Sequence, residues 1–176
     1  MKDGNINATR SRAGGGSWYG TTLQYYQLYE HAALAIKKVD RRLQVGGPAT
    51  CCCAAWITEF RAFMDSKKVP IDFISTHAYT GGNEDINSVP SIISTLNQAK
   101  VKAGTLPLVI TEFGSSYIPG TANATTGTSH DDYDAASFLV KVFTDAAGIA
   151  EVLSYWSISD GKSDVPFLTC CFVRLP

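Results

Sequence analysis

The chain has 176 residues, 45% hydrophobic and 18% charged, enough for one globular domain with its own core. A net charge of −1 gives no basic footprint for nucleic acid or an anionic membrane, and no run of about 18 apolar residues is present to span a bilayer. The opening Met1-Lys2-Asp3-Gly4-Asn5 lacks an apolar signal core, so the chain as written is expected to stay in the cytosol.

Residues 1–17 are polar and rich in Gly, Ser, Arg and Asn, which predicts an irregular leader. A helix follows. Thr21 and Gln24 form a capping-box pattern, Leu23, Tyr26, Tyr29, Ala33 and Ile36 recur at helical spacing, and Asp40 with two arginines closes it. Leu43-Gln44-Val45-Gly46-Gly47 predicts a short strand running into a Gly-Gly-Pro turn. Trp56, Ile57, Phe60 and Phe63 make the apolar stripe of a second helix, and Val69-Pro70 punctuates before a strand over Ile71 to His77. A Gly/Asn-rich loop leads to a third helix, with Pro90 in its first turn, Ile92, Ile93, Leu96 and Ala99 inward, and Gly104 as its stop.

The next strand, Leu108-Val109-Ile110-Thr111-Glu112-Phe113, has the β-branched apolar character of an interior parallel strand but ends in a carboxylate. A long Gly/Ser/Thr-rich loop from Gly114 to about His130 follows, a length associated with function or disorder. Asp131 is placed to cap a fourth helix with Ala135, Leu139, Val142 and Phe143 on its core face, and Val152 to Ile158 is the last strand. The α-β-α-β order predicts a parallel α/β sheet. A full eight-stranded βα barrel takes about 250 residues, so four strands amount to half of one. A small doubly wound sheet shares the pattern.

In parallel α/β barrels the chemistry sits at the C-terminal strand ends. Glu112 occupies such an end, as do His77, Tyr79 and Trp156, with Asp160 shortly after. A carboxylate serves glycoside hydrolysis as nucleophile or as acid/base. His and Tyr donate to sugar hydroxyls, and an aromatic ring stacks on the apolar face of a pyranose. The packing alternatives are a surface Glu, a hydrogen-bonded core His and a rim Trp. Asp131, Asp132 and Asp134 fit helix capping better than calcium binding. Gly14-Gly15-Gly16 follows no strand, so it is no nucleotide loop, and Ser115-Ser116 lacks the Gly-x-Ser-x-Gly elbow of a serine hydrolase.

The five cysteines fall in two clusters, Cys51-Cys52-Cys53 and Cys170-Cys171. Neighbouring cysteines converge poorly on zinc and do not make a Cys-x-x-Cys redox pair. They are expected to be small apolar residues, with a bridge between the clusters as the alternative. No metal or cofactor is expected. Asn7-Ala8-Thr9 and Asn123-Ala124-Thr125 are glycosylation sequons that matter only on a secretory route.

Five stretches in order resemble glycoside hydrolase family 39, the β-xylosidases and α-L-iduronidase. They are Trp18-Tyr19-Gly20-Thr21 with the Tyr-rich helix after it, Val45-Gly46-Gly47-Pro48-Ala49, Phe73 to Tyr79, Val109 to Phe113, and Ser154 to Asp160. The resemblance implies a retaining mechanism on a (β/α)8 TIM barrel, of which this chain would supply strands five to eight. Glu112 matches the nucleophile at the end of the seventh strand. His77 and Tyr79 match the sugar-contacting end of the sixth, and Trp156 and Asp160 the end of the eighth. The family's acid/base glutamate lies in an Asn-Glu-Pro motif just upstream of the Trp stretch, where this chain has Thr9 to Gly16 and no carboxylate.

The expected organisation is therefore an irregular leader over residues 1–17, a partial glycosidase barrel over 18–164, and a divergent tail over 165–176. The expected function is that of a retaining, xylosidase- or iduronidase-like glycosidase, truncated and lacking its acid/base. The alternatives are a non-catalytic carbohydrate-binding remnant that uses His77, Tyr79 and Trp156, and a cysteine-based redox or metal protein. The expected partner is carbohydrate, with self-association through exposed barrel edges. The resemblance leaves a secreted or lysosomal destination open for a full-length protein.

Overall fold

The structure, a computed structural model, describes residues 18–51, 54–80, 86–115, 133–156 and the backbone of 171–174. Helix α1 (Thr22–Val39) begins as the capping box predicts. The Thr21 hydroxyl accepts from the Gln24 N–H at 3.1 Å, and the Gln24 side chain accepts from the Thr21 N–H at 2.8 Å. Its stripe is narrower than its spacing suggests. Tyr26 and Ala33 are buried, whereas Leu23 and Ile36 are exposed. The buried side meets α2 (Ile57–Lys67) through rings: Tyr26 lies against Phe60 and Phe63, and Tyr29 against Phe60.

Strand β1 (Gly46–Thr50) differs from its prediction. It runs through Gly-Gly-Pro rather than ending there. Among the described residues only β2 pairs with it, so Pro48, which lacks an N–H, sits on a terminal strand where that loss is tolerated. Glycine at position 46 is required by close approach, because a Cβ there would collide with the ring and carbonyl oxygen of Phe73. Strand β2 (Phe73–Tyr79) starts two residues later than predicted. Asp72 is taken up in a latch instead: its carboxylate accepts from the Val45 N–H at 2.7 Å, its own N–H donates to the Val45 carbonyl at 2.7 Å, and Lys37 pairs with it at 2.7 Å.

After a 3-10 turn (Ile86–Ser88), α3 (Val89–Ala103) has Pro90 in its first turn, buries Ile92, Leu96, Ala99 and Ala103, and stops at Gly104 with φ of 62°. Strand β3 spans Leu108–Gly114, α4 spans Tyr133–Asp145, and β4 spans Val152–Tyr155. The proposed cap Asp131 lies outside the described residues, as do residues 1–17, Asn123 and Asp160. A further strand, β5 (Cys171–Arg174), was not predicted.

The sheet runs β1-β2-β3-β4-β5, with three parallel pairings and an antiparallel one between β4 and β5. This is an α/β fold on a parallel sheet, consistent with part of a βα barrel. One sheet face gives Ile74, Ala78, Leu108, Ile110, Phe113, Leu153 and Tyr155 to a core shared with helix residues such as Phe60, Ile92 and Phe138. Period-2 alternation assigns Phe73, Ser75, His77 and Tyr79 to the other face. No helix among the described residues is long and apolar enough to cross a membrane.

Candidate active site

The site is built on that second face, at the C-terminal ends of β2, β3 and β4. Along β3, Leu108 and Ile110 are fully buried in the helix-side core. Strict alternation from them would send Glu112 into the core and Phe113 to the open face. A bulge prevents it. Thr76 pairs with Ile110 and His77 with Glu112, so Thr111 is an extra residue. The β4 side agrees, with Ile110 opposite Leu153 and Phe113 opposite Tyr155. Bulges re-aim side chains in this way. Phe113 returns to the core against Phe143 and Tyr155, and Glu112 turns to the face that carries His77 and Tyr79.

Glu112 Oε2 accepts the Tyr79 hydroxyl hydrogen bond at 2.6 Å and lies 3.2 Å from His77 Nδ1. The His77 and Glu112 side chains are 17% and 27% exposed, so the group is part-buried yet reachable. Burial pushes His77 below the usual imidazole range, against the opposing pull of the Glu112 charge. A neutral His77 with its proton on Nδ1 then presents a donor to Oε2. One carboxylate oxygen is thus held from two sides, which fixes the carboxylate's orientation. The loop ends are tied as well, since the Thr80 N–H donates to the Gly114 carbonyl at 3.1 Å.

Trp156 follows β4 directly, and its N–H donates to the Phe113 carbonyl at 2.9 Å. That bond sets it at the same end of the sheet as Glu112. With Leu153 and Tyr155 in the core, alternation assigns it to the site face. The structure therefore brings Glu112, His77 and Tyr79 together and sets Trp156 at the same sheet end, while Asp160 lies outside the described residues. The Tyr79–Glu112 bond goes beyond the sequence reading, which gives Tyr79 a sugar contact alone. The sequence carries no clear signal for it, because Leu108-Val109-Ile110 is an unbroken apolar run in which no period-2 phase can be read.

No group of three or more His, Cys, Asp or Glu suited to a metal ion occurs among the described residues. Cys51, directly after β1, is disulfide-bonded rather than simply a small apolar residue, the first of the two expectations for the cysteines.

The family model for glycosyl hydrolases family 39 matches residues 16–169. The chain belongs to glycosyl hydrolase family 39. It is 38% identical over 168 residues to a beta-xylosidase of Caldicellulosiruptor saccharolyticus, covering 85% of this chain and 33% of that protein. It is 32% identical over 165 residues to a beta-xylosidase of Geobacillus stearothermophilus, covering 81% and 31%. A family 39 beta-xylosidase structure from Caulobacter crescentus superposes with a TM-score of 0.64 at 30% identity, over 77% of this chain and 28% of that one. The family 39 enzyme from Xanthomonas axonopodis pv. citri gives 0.64 at 33%, over 79% and 29%. This family 39 chain spans about a third of the length of the relatives it matches.

Proposed function

We propose that this chain is the nucleophile-bearing part of a retaining, xylosidase-like glycoside hydrolase, supplying strands five to eight of the barrel as β1 to β4. The reading is carried by one observation: Glu112 Oε2, at the C-terminal end of a parallel strand, is clasped by Tyr79 and His77. In this reading residues 1–17 are a leader, 18–164 the partial barrel and 165–176 a divergent tail.

The Glu112 carboxylate attacks the anomeric carbon as the bond to the leaving oxygen breaks, giving a glycosyl ester. Tyr79 and His77 hold one oxygen of the carboxylate and so fix its line of attack, and each keeps an acceptor for sugar hydroxyls, the Tyr79 phenol oxygen and the His77 Nε2. Trp156 supplies a stacking surface and Asp160 a sugar contact. The leaving alcohol needs a proton, and water must later be activated. Neither task has a carboxylate in the segment from Thr9 to Gly16, so the chain is read as truncated, with its acid/base glutamate on strands it does not contain.

A substrate whose leaving group departs without a proton isolates the Glu112 step. An aryl β-xyloside with a strongly acidic phenol is expected to release at most about one phenol per chain and to leave a xylosyl ester on the Glu112 peptide, read by mass spectrometry. Glu112→Gln should abolish the adduct. Sustained turnover that survives this substitution, or an adduct at another residue, would overturn the assignment. Sugar binding without any adduct would favour a carbohydrate-binding remnant.

A further inference from the structure

We propose that residues 171–174 are a strap that fills the edge on which a barrel strand would otherwise add. The sequence Cys171-Phe172-Val173 joins an aromatic to a β-branched residue, a composition suited to a strand. The backbone bears this out. Strand β5 pairs antiparallel with β4 over Val152↔Arg174, Leu153↔Val173, Ser154↔Phe172 and Tyr155↔Cys171. The other side of β4 is taken by β3, so both edges of β4 are occupied.

A βα barrel is closed by strands that all run parallel. The next barrel strand beside β4 would have to lie parallel to it, on the edge that β5 holds in the opposite direction. One row of backbone N–H and C=O groups cannot serve both. The strap also lies beyond residue 169, where the family match ends. A segment outside the family pattern thus occupies the seam that the family's architecture needs. The other terminal strand, β1, is blunted separately by Pro48 and by Ala49 at φ of 52°. This inference rests on the partial-barrel reading above and deepens it: closure of a barrel at β4 requires β5 to peel away first, which makes the tail a device that holds the sheet in an open, capped state.

Hydrogen exchange on the full 176-residue chain tests this without any substrate. The amides of 171–174 and 152–155 are expected to exchange at least about tenfold more slowly than in a free peptide. Phe172→Pro and Val173→Pro are introduced together, because successive N–H groups point to opposite sides and one of them must face β4. The pair should speed exchange of both segments about tenfold and leave residues 73–79 and 108–114 unchanged. Free-peptide exchange of 171–174 in the unaltered chain, or unchanged protection of 152–155 in the double variant, would overturn the strap. Should the variant unfold as a whole, the unaltered chain still decides. Loss of Glu112 labelling would sink the hydrolase reading and leave these rates untouched, so the two failures are distinguishable.

Discussion

The bulge at Thr111 makes a paired prediction whose two halves have opposite signs under the alternative. With the extra residue in β3, Phe113 faces the core and Glu112 the site. Without it the two would exchange faces. Phe113 is fully buried, with ring centroids 5.5 Å from Phe143 and 5.6 Å from Tyr155. Truncating such a ring removes its transfer energy and leaves a cavity, about 3–5 kcal/mol in all. The two edge contacts, each about 0.5–1.5 kcal/mol, account for part of that sum. Against a total stability of roughly 5–15 kcal/mol the loss is large. In a domain of this size it corresponds to a fall in Tm of about 6–20 °C. Glu112→Gln keeps an acceptor for the Tyr79 hydroxyl on a part-exposed side chain, so it should change stability by less than about 1 kcal/mol. Urea unfolding followed by Trp fluorescence reads both, with the slope against urea checking that the transition stays two-state. A Phe113→Ala cost below about 1 kcal/mol would refute the bulge and, with it, the exposure of Glu112 on the site face.

Tyr79→Phe removes one hydrogen bond to the Glu112 carboxylate. A bond of this kind, at about 1.5–3 kcal/mol, predicts labelling of Glu112 slowed roughly 10- to 100-fold, read from the time course of ester formation. Because burial holds His77 below the usual imidazole range, the unfolded chain binds more protons between the folded and ordinary values. Stability should therefore rise with pH across that window and level off above it, and His77→Gln should remove that part of the slope in urea melts. Asp72 has the same sign in a lower pH window but a different cause: burial raises its carboxyl, but hydrogen bonds from Lys37 and the Val45 N–H, with the Lys37 charge, outweigh that and lower it. Its contribution is present above the ordinary carboxylate range and is lost as pH falls through the folded value. Asp72→Asn should therefore cost about 1–2 kcal/mol near neutrality and little in acid, measured by urea unfolding at both pH values. Gly46→Ala forces β1 away from the Phe73 carbonyl, with an expected cost of about 1–3 kcal/mol and faster amide exchange over residues 46–50.

Local signals were legible in the sequence where one residue type had one physical use. The Thr21/Gln24 box, Pro90 in the first turn and Gly104 at the stop each satisfy or remove a specific backbone group, and α1 and α3 follow them. Boundaries that depend on long-range partners were not legible. Strand β2 begins late because Asp72 is drawn into Val45 and Lys37, residues 27 and 35 positions away by their numbering. Strand β1 passes through Gly-Gly-Pro because, among the described residues, it pairs on one side only, which a turn signal cannot express. The tail strand was hidden because a four-residue run forms only where a free edge receives it.

Among the described residues two bulges interrupt the parallel ladder, at Ala49 next to the C-terminal end of β1 and at Thr111 in the middle of β3. Before them the alternation serves packing: Ile74, Leu108, Ile110 and Leu153 all fall on the helix face. In β3, strict continuation would have placed a carboxylate in that core, and burying an unpaired charge costs far more than a local kink in a ladder. The added residue separates the two demands. The stability phase runs through the lower part of β3, and the phase is reset where Glu112 must meet Tyr79 and His77. The core takes Leu108 and Ile110 before the carboxylate at 112 and Phe113 after it, a placement that only a one-residue reset allows. The register shows why it is there: the same step that returns Phe113 to the core delivers Glu112 to its two donors.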